Sequence, residues 1–302
     1  MNADIIKDFI ESITIGDPLC HEGLAVFPLT TERVCAYDHL LLEEILPSGG
    51  FKITETSESG SVPELIAVNG TESAVLLVDG EELVGAKQNR ILNASVLVGP
   101  GAAVKIPVSC VEQGRWEYRS QDFKAGMYAP SLLRASTARE SGRTRSARAN
   151  QNRIWRDVAC FLRNSKTHSC TGALNDLYEF RGADFEAYEQ ALPLPEEACG
   201  FVAVIDGRVA GCDMFARPDA LRRKWPRLVR ALAAEALVSR DRTARPDASL
   251  VTTFLKHAAA AATEPLTTPG LGQLLHLQGQ GVTGAALVHK DAPLHVSLFA
   301  QQ

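Results

Sequence analysis

The fold is decided by residues 74–116, AVLLVDGEELVGAKQNRILNASVLVGPGAAVKIPVSCVEQGRW. The apolar, β-branched runs Val75–Val78, Val96–Val98 and Val104–Val108 are typical of strands in a packed sheet. Polar or reactive residues lie between and after these runs: Glu81, Glu82, Lys87, Gln88, Asn89, Arg90, Cys110, Glu112, Gln113, Arg115 and Trp116. A polar group pressed against a core needs a partner, because leaving it unpaired costs about 1–3 kcal/mol. These residues therefore form either a self-satisfied network or the lining of a ligand site, and we expect the site.

The composition is ordinary for a globular protein, with 45% hydrophobic and 22% charged residues among 302. The N-terminal sequence MNADIIKDFIESITIGDP lacks a basic region followed by an apolar core, so it does not read as a secretory signal. No apolar run approaches the ~20 residues of a membrane span. A net charge of −5 gives no general reason to bind nucleic acid or an anionic membrane. We expect a cytoplasmic protein that does not bind membranes, and nucleic acid as a partner is not expected.

The seven cysteines are dispersed and include no C-x-x-C pair, which argues against a disulfide framework and a zinc ribbon. The seven histidines show neither H-x-x-x-H nor H-E-x-x-H spacing. A metal site built from Glu112, His295 and a third residue is an alternative, but we expect no metal ligands. The sequence identifies no cofactor and no oligomeric state.

Residues 14–118 read as a β-rich half made of short strands. Asp79-Gly80 predicts a hairpin turn between LLV and EELVGA, because both residues tolerate positive φ. Gly99-Pro100-Gly101 predicts a second turn before the strand AVKIPVSCV. We expect an antiparallel sandwich or a strongly curled sheet.

Composition changes in residues 134–153, RASTARESGRTRSARANQNR, which hold six arginines against one glutamate. The segment has no apolar periodicity, so we expect a solvated, mobile loop. One alternative is an arginine-bearing lid over a phosphate-containing ligand, since arginine matches phosphate oxygens. Binding of single-stranded RNA is a third reading, but interleaved aromatic residues for stacking are absent.

Residues 154–302 read as an α+β half, with helices followed by a β-meander. Asp206-Gly207 predicts a hairpin within GFVAVIDGRVAGC. Gly279, Gly281 and Gly284 match G-x-G-x-x-G, but short strands and no helix follow, so we reject a dinucleotide fold. The predicted fold is α+β, with an N-terminal antiparallel β-sandwich-like region and a C-terminal helical and β-meander region packed on it. We expect one compact domain over residues 1–302.

The candidate chemistry depends on which way each side chain points. Glu81 and Glu82 are adjacent on a strand, so they point to opposite faces and do not form an acid–base pair. Glu112 is a candidate general base. Cys110 is either a nucleophile activated by a nearby cation or, more commonly for such a residue, a buried core thiol. The competing interpretation is a network of ion pairs with only a structural role, in which Glu82–Lys87 or Glu81–Arg90 are the pairs.

Five stretches resemble one known family: DGEELVGAKQNR (79–90), VSCVEQGRW (108–116), QNRIW (151–155), VIDGRVAGCDMF (204–215) and the terminal GAALVHKDAPLHVSLF. This is the bacterial domain family associated with ADP-ribosylglycohydrolases and rhodanese-type phosphatases, and the similarity runs from about residue 12 to 300. The resemblance implies a role in the metabolism of NAD-derived nucleotides, particularly ADP-ribose. It supplies no catalytic residues to transfer.

The function we expect is binding of an ADP-ribose-type or other NAD-derived nucleotide through strands 81–90 and 110–116, with or without its hydrolysis. The predicted catalytic residues are Glu112, Glu82 and Cys110. The predicted ligand-binding residues are Lys87, Arg90 and Arg115 for phosphates, Gln88 and Asn89 for ribose or base, and Trp116 for stacking. The alternatives are a non-catalytic nucleotide-sensing module and a protein-interaction domain without a small-molecule site.

Overall fold

The computed structural model describes residues 2–33, 37–239 and 246–301, so that Cys35 lies outside the described residues. Eight α-helices occur in these residues: α1 (Asn2–Glu11), α2 (Leu42–Ile45), α3 (Ser131–Thr144), α4 (Gln151–Asn164), α5 (Asn175–Phe180), α6 (Gly182–Ala191), α7 (Pro218–Val238) and α8 (Ala248–Ala259). None of them is long and apolar enough to cross a membrane.

The strands of the described chain are β1 (Thr14–Ile15), β2 (Leu19–His21), β3 (Leu24–Thr30), β4 (Leu40–Leu41), β5 (Phe51–Glu55), β6 (Glu64–Asn69), β7 (Val75–Leu77), β8 (Glu81–Gly85), β9 (Arg90–Leu92), β10 (Val96–Val98), β11 (Ala103–Cys110), β12 (Phe123–Tyr128), β13 (Gly200–Ile205), β14 (Arg208–Phe215), β15 (Ala262–Leu266), β16 (Gln273–Gly279), β17 (Val282–His289) and β18 (Ala292–Ala300). Helices and strands are both abundant and the sheets are mainly antiparallel, which confirms the α+β class.

Nine strands form one antiparallel sheet in the order β1–β3–β13–β14–β18–β17–β16–β15, with β2 also paired to β3. Successive residues of a strand point to opposite faces, and β3 is apolar on both. On one face, Phe27 belongs to a core shared with α1 and α8. On the other face, Val26 belongs to a core shared with helices α3 to α7. Helices on both faces explain why β3 and β13 are apolar on both faces.

The second large sheet has six antiparallel strands in the order β12–β8–β9–β11–β6–β5. Its two edge strands, β12 and β5, approach each other without pairing, so the sheet curls into an open barrel. The inner face is a separate apolar core that includes Phe51, Leu65, Leu83 and Ile106. The three-stranded sheet β10–β7–β4 contributes Val75 and its neighbours to the same core. The N-terminal strands β1–β3, expected within the β-rich half, belong instead to the nine-stranded sheet.

The expectation of a mobile loop over residues 134–153 is wrong. Most of this segment is helical, in α3 and the start of α4, and Arg134 is buried together with Ser136 and Thr137. The buried face of this helix consists mainly of small residues and an ion-paired arginine. The sequence of the segment therefore shows no apolar periodicity. Close packing favours small residues here, because a Cβ at position 142 would overlap the ring of His276.

The predicted hairpin at Asp79-Gly80 is also wrong. Residue 80 does turn with a φ of 83°, but the strands on either side, β7 and β8, enter different sheets. The Arg134 side chain passes so close that a Cβ on Gly80 would lie 2.5 Å from its Cδ. By contrast, the Asp206-Gly207 hairpin joins β13 to β14 as predicted. Gly281 lies at the turn of another hairpin, between β16 and β17, so the rejection of a dinucleotide fold is confirmed.

Candidate functional site

One end of the six-stranded barrel is polar on its inner face. Leu92 and Val108 face each other across β9 and β11 in the apolar core, and the next inward pair along this ladder is Arg90 and Cys110. Glu55, the last residue of β5, follows the same alternation. We call this end the barrel mouth and define it by Glu55, Lys87, Gln88, Arg90, Cys110, Trp116 and Tyr118.

Arg90 is the central charge of the barrel mouth and has no solvent exposure. Its Nη1 donates to the backbone oxygen of Gln88 at 3.0 Å and to the Oε1 of the same residue at 3.1 Å. Its Nη2 forms an ion pair with Glu55 Oε1 at 3.8 Å, beyond hydrogen-bond distance, and Nε and Nη2 have no hydrogen-bond partner among the described residues. Burial lowers the pKa of Arg90 from its ordinary value. Such a buried, incompletely bonded guanidinium is a costly arrangement that an incoming acceptor would relieve.

Two exposed aromatic rings stand at the rim of the barrel mouth. Trp116 is 46% exposed and Tyr118 is 49% exposed, which is unusual for large aromatic side chains. The Nζ of Lys87 lies 5.5 Å from the first ring centroid and 5.0 Å from the second. The Cζ of Arg90 lies 5.6 Å from the ring of Trp116. Within the described chain Lys87 makes no ion pair, so two cations and two aromatic faces meet at one place.

The segment that carries Trp116 is held by a buried ion pair. Glu112 and Arg115 form a bidentate pair, with Nε–Oε1 at 2.9 Å and Nη2–Oε2 at 2.6 Å. Glu112 also accepts the backbone N–H of Asn89 and the hydroxyl of Thr171. Burial by itself raises the pKa of Glu112, but these hydrogen bonds outweigh it and hold the pKa below its usual value. Both oxygens of this carboxylate are therefore already engaged.

Arg115 and Asn89 belong to the same frame. Arg115 Nη1 donates to the backbone oxygens of Ala86 and Glu117, at 2.5 Å and 2.9 Å. The Oδ1 of Asn89 accepts the backbone N–H of Gly85 and a hydrogen bond from Arg115 Nη2. The sequence predicted both residues as ligand-binding residues. In the structure they lie next to the barrel mouth, where they fix the loop between β8 and β9.

Cys110 lies in the barrel mouth as a protonated, hydrogen-bonded thiol. Its Sγ donates to Gln88 Oε1 at 3.0 Å, and the residue is buried. Burial raises the pKa of this thiol, although Arg90 opposes the shift. Because the thiolate is the reactive form, these surroundings favour an inert cysteine.

Alkylation of the native protein with iodoacetamide tests this description of Cys110. We expect the exposed Cys160 and Cys170 to react at least roughly 100-fold faster than Cys110, because a buried thiol reacts only after local opening. Mass spectrometry of peptides after timed quenching measures the ratio. Labelling of Cys110 at a rate equal to the exposed cysteines would identify it as an accessible, activated thiol.

Glu82 lies on the other side of the barrel wall. Arg90 pairs with Leu83 and Ile91 pairs with Glu82 across β8 and β9, and paired residues share a face. Glu82 therefore points outward from the barrel while Arg90 points inward. The carboxyl group is 1% exposed, and neither oxygen has a hydrogen-bond partner of normal geometry in the described chain. Burial raises its pKa to about 8, so the group is protonated at neutral pH. The three predicted catalytic residues are thus not brought to one place, and their roles stay predictions.

A second buried network was not predicted from the sequence. Arg134 donates to both carboxylate oxygens of Asp213 and, through Nε at 3.1 Å, to Asp79. His295 joins the same group, with Nε2 3.0 Å from Asp213 Oδ1 and Nδ1 2.9 Å from Ser95 Oγ. All five side chains are buried and paired to each other. The sequence signal for this network was a polar residue within each of two mainly apolar strands, Asp213 in GCDMF and His295 in LHVSLF.

A third buried group explains Glu81. Its Oε1 accepts from Lys224 Nζ at 2.6 Å, and the same ammonium contacts Glu43 at 3.0 Å. The ion pairs considered from the sequence, Glu82–Lys87 and Glu81–Arg90, do not occur in the described chain. The charges are instead compensated by residues that are distant in sequence.

Comparison with known families decides the membership of the chain. Residues 12–299 match the ARPP-1 domain, described as the ARG and Rhodanese-Phosphatase-superfamily-associated Protein domain. The chain belongs to the ARPP-1 family. No curated protein and no solved structure matches it. The ARPP-1 assignment confirms the resemblance drawn from the five sequence stretches.

The ARPP-1 stretches quoted from the sequence contribute to three buried polar clusters: the barrel mouth with its frame, the Arg134 network and the ion pairs of Lys224. DGEE supplies Asp79 to the Arg134 network and Glu81 to Lys224. KQNR and VSCVEQGRW form the barrel mouth and its frame. In this ARPP-1 domain, the barrel mouth is the place where buried, incompletely paired charge reaches exposed aromatic surface.

Proposed function

We propose that this chain binds an ADP-ribose-type or other NAD-derived nucleotide at the barrel mouth. The observation that carries the proposal is Arg90, which is fully buried and whose Nε and Nη2 donate no hydrogen bond within the described chain. Phosphate oxygens match a guanidinium in charge and geometry, so a nucleotide would supply the missing acceptors. The association of the ARPP-1 family with ADP-ribosylglycohydrolases supports ADP-ribose as the ligand class.

The surrounding residues fit the other parts of such a ligand. Lys87 adds a second cation for the phosphates, and Trp116 and Tyr118 offer exposed ring faces on which a base stacks. Gln88 accepts hydrogen bonds from Arg90 and Cys110, so its role is to orient the guanidinium.

The geometry supports binding better than hydrolysis. A general base needs a free carboxylate oxygen near the reacting water. Glu112 has both oxygens engaged, Glu82 is protonated on the outer side of the wall, and Cys110 is a protonated thiol. We therefore propose a non-catalytic nucleotide-binding module. Release of AMP or ribose phosphate by the purified protein, with ADP-ribose as the substrate, would contradict this part of the proposal.

Replacing Trp116 by alanine should weaken ADP-ribose binding by roughly 5- to 100-fold, because stacking of a base on an aromatic ring contributes about 1–3 kcal/mol. Isothermal titration calorimetry measures the dissociation constant. Phe180→Ala removes another exposed aromatic ring, on α5, and serves as the control with unchanged affinity. Equal losses in the two variants would exclude stacking at the barrel mouth.

A thermal-shift panel of NAD, ADP-ribose, AMP and inorganic phosphate tests the ligand class directly. A ligand at one hundred times its dissociation constant adds about 2.7 kcal/mol to the free energy of unfolding, which shifts the melting temperature measurably. We expect a selective shift with a nucleotide. No shift with any compound at millimolar concentration would contradict the proposed function.

A further inference from the structure

A glycine loop borders the barrel mouth. Residues 56–63 connect β5 to β6, and Gly60 within them has a φ of +76°. A Cβ at this position would lie 3.2 Å from Lys87 Cδ, 3.2 Å from Trp116 Cζ2 and 3.3 Å from Glu55 Oε2. Because residue 60 has no side chain, the loop lies close to the cation, the aromatic ring and the carboxylate without pressing on them.

Glu55 lies beside Gly60 with an unused acceptor. Its side chain is 3% exposed, and Oε1 lies 3.4 Å from the backbone N–H of Lys87 and 3.8 Å from Arg90 Nη2. Oε2 is buried without a hydrogen-bond partner among the described residues. A buried carboxylate oxygen with no donor is costly, so it favours a ligand that brings donors.

The barrel mouth thus offers two complementary sets of groups. Arg90 and Lys87 provide donors for phosphate oxygens, whereas Glu55 Oε2 provides an acceptor for hydroxyl groups. In a nucleotide, the vicinal hydroxyls of ribose are donors of this kind, and a carboxylate is a common partner for them. Trp116 and Glu55 Oε2 both lie beside Gly60, so the ribose that carries the stacked base is the one nearest to Oε2.

We infer that Glu55 Oε2 accepts hydrogen bonds from the 2′,3′-diol of the adenosine ribose, and that the ligand is a ribonucleotide with this diol free. The inference rests on the proposed function and defines its ligand class more narrowly. It also assigns Gly60 the role of keeping a loop side chain away from Oε2.

The test compares ADP-ribose with its 2′-deoxyadenosine analogue by calorimetry on the unaltered protein. Loss of a hydrogen bond to a charged group weakens binding by roughly 10- to 100-fold, and this is the expected ratio of dissociation constants. Glu55→Gln should reduce the ratio to below about 3-fold. If the unaltered protein binds both ligands equally, the diol subsite is wrong and the proposed function stands. If it binds neither ligand, both are wrong.

Two glycine variants test the role of Gly60. Gly60→Ala introduces both a strained backbone and a Cβ against Glu55, whereas Gly49→Ala has the same strain at φ +75° with nothing within 4 Å. We expect Gly60→Ala to weaken ADP-ribose binding at least 10-fold and Gly49→Ala to leave it unchanged. Equal affinity of the two variants for ADP-ribose would overturn the role of Gly60. Because the analogue comparison needs no substitution, the inference stays testable if Glu55→Gln does not fold.

Discussion

Replacing Arg134 by leucine should lower the free energy of unfolding by about 3–5 kcal/mol, because it leaves two buried carboxylates without their cation. Burial alone raises the pKa of Asp213, but Arg134 and His295 outweigh it and hold the pKa well below its usual range. Asp79 loses the same partner, since Arg134 Nε donates to it at 3.1 Å. Urea denaturation followed by circular dichroism measures the change.

Arg143→Leu is the matched control for this prediction. Arg143 lies on the same helix α3, but its side chain is 72% exposed, and within the described residues it pairs only with Glu140. Exposed pairs contribute about 0–1 kcal/mol, so this variant should be nearly as stable as the unaltered protein. A loss for Arg134→Leu no greater than that for Arg143→Leu would show that the buried network does not support the fold.

Replacing Glu82 by glutamine should make the protein progressively more stable than the unaltered chain as the pH rises from about 4.5 to about 8. Burial raises the pKa of Glu82 from an ordinary value of 4.5 to about 8. The folded state therefore holds a proton that the unfolded state releases in this range, and the stability of the unaltered protein falls as pH rises. Each pKa unit corresponds to about 1.4 kcal/mol, so the full effect is roughly 5 kcal/mol at most.

Denaturant unfolding of both proteins at pH 5, 7 and 9 tests this prediction. The difference in unfolding free energy should grow up to about pH 8 and then level off, because Glu82 is ionised in both states above its folded pKa. Glu72→Gln removes an exposed carboxylate and serves as the control. A pH-independent difference for Glu82→Gln would show that its carboxyl group is not held protonated by the fold.

Local signals in the sequence were sufficient for several elements. Alternation along a strand predicted that Glu81 and Glu82 point to opposite faces. Both lie on β8, where Glu82 pairs with Ile91 on the outer side of the barrel wall and Glu81 contacts Lys224. The Asp206-Gly207 hairpin followed from turn chemistry. These features depend on neighbours within a few residues, which the sequence shows directly.

Features that depend on distant residues were missed. The helix α3 buries Arg134 by pairing it with Asp79 and Asp213, which lie 55 and 79 residues away. Without those partners the segment has only small and charged residues, and these are also typical of a solvated loop. The Asp79-Gly80 turn matches a hairpin locally, but the passage of Arg134 beside Gly80 belongs to the tertiary structure.

The sequence named several residues of the candidate site but did not show what each of them contacts. The sequence grouped Lys87, Arg90 and Trp116, and they lie together because their two motifs form adjacent strands and loops. It did not show that Glu112 is occupied, because one of its partners, Thr171, is 59 residues away. Nor did it include Glu55, which curling of the sheet brings from β5 to the barrel mouth.

Tryptophan fluorescence during titration with ADP-ribose tests the central claim most directly. The chain has three tryptophans, and Trp116 is the exposed one at the barrel mouth, whereas Trp225 is buried and Trp155 is partly buried. We predict saturable quenching that disappears in Trp116→Phe, because the base stacks on this ring. Quenching that persists unchanged in Trp116→Phe, or no spectral change at millimolar ADP-ribose, would contradict nucleotide binding at the barrel mouth.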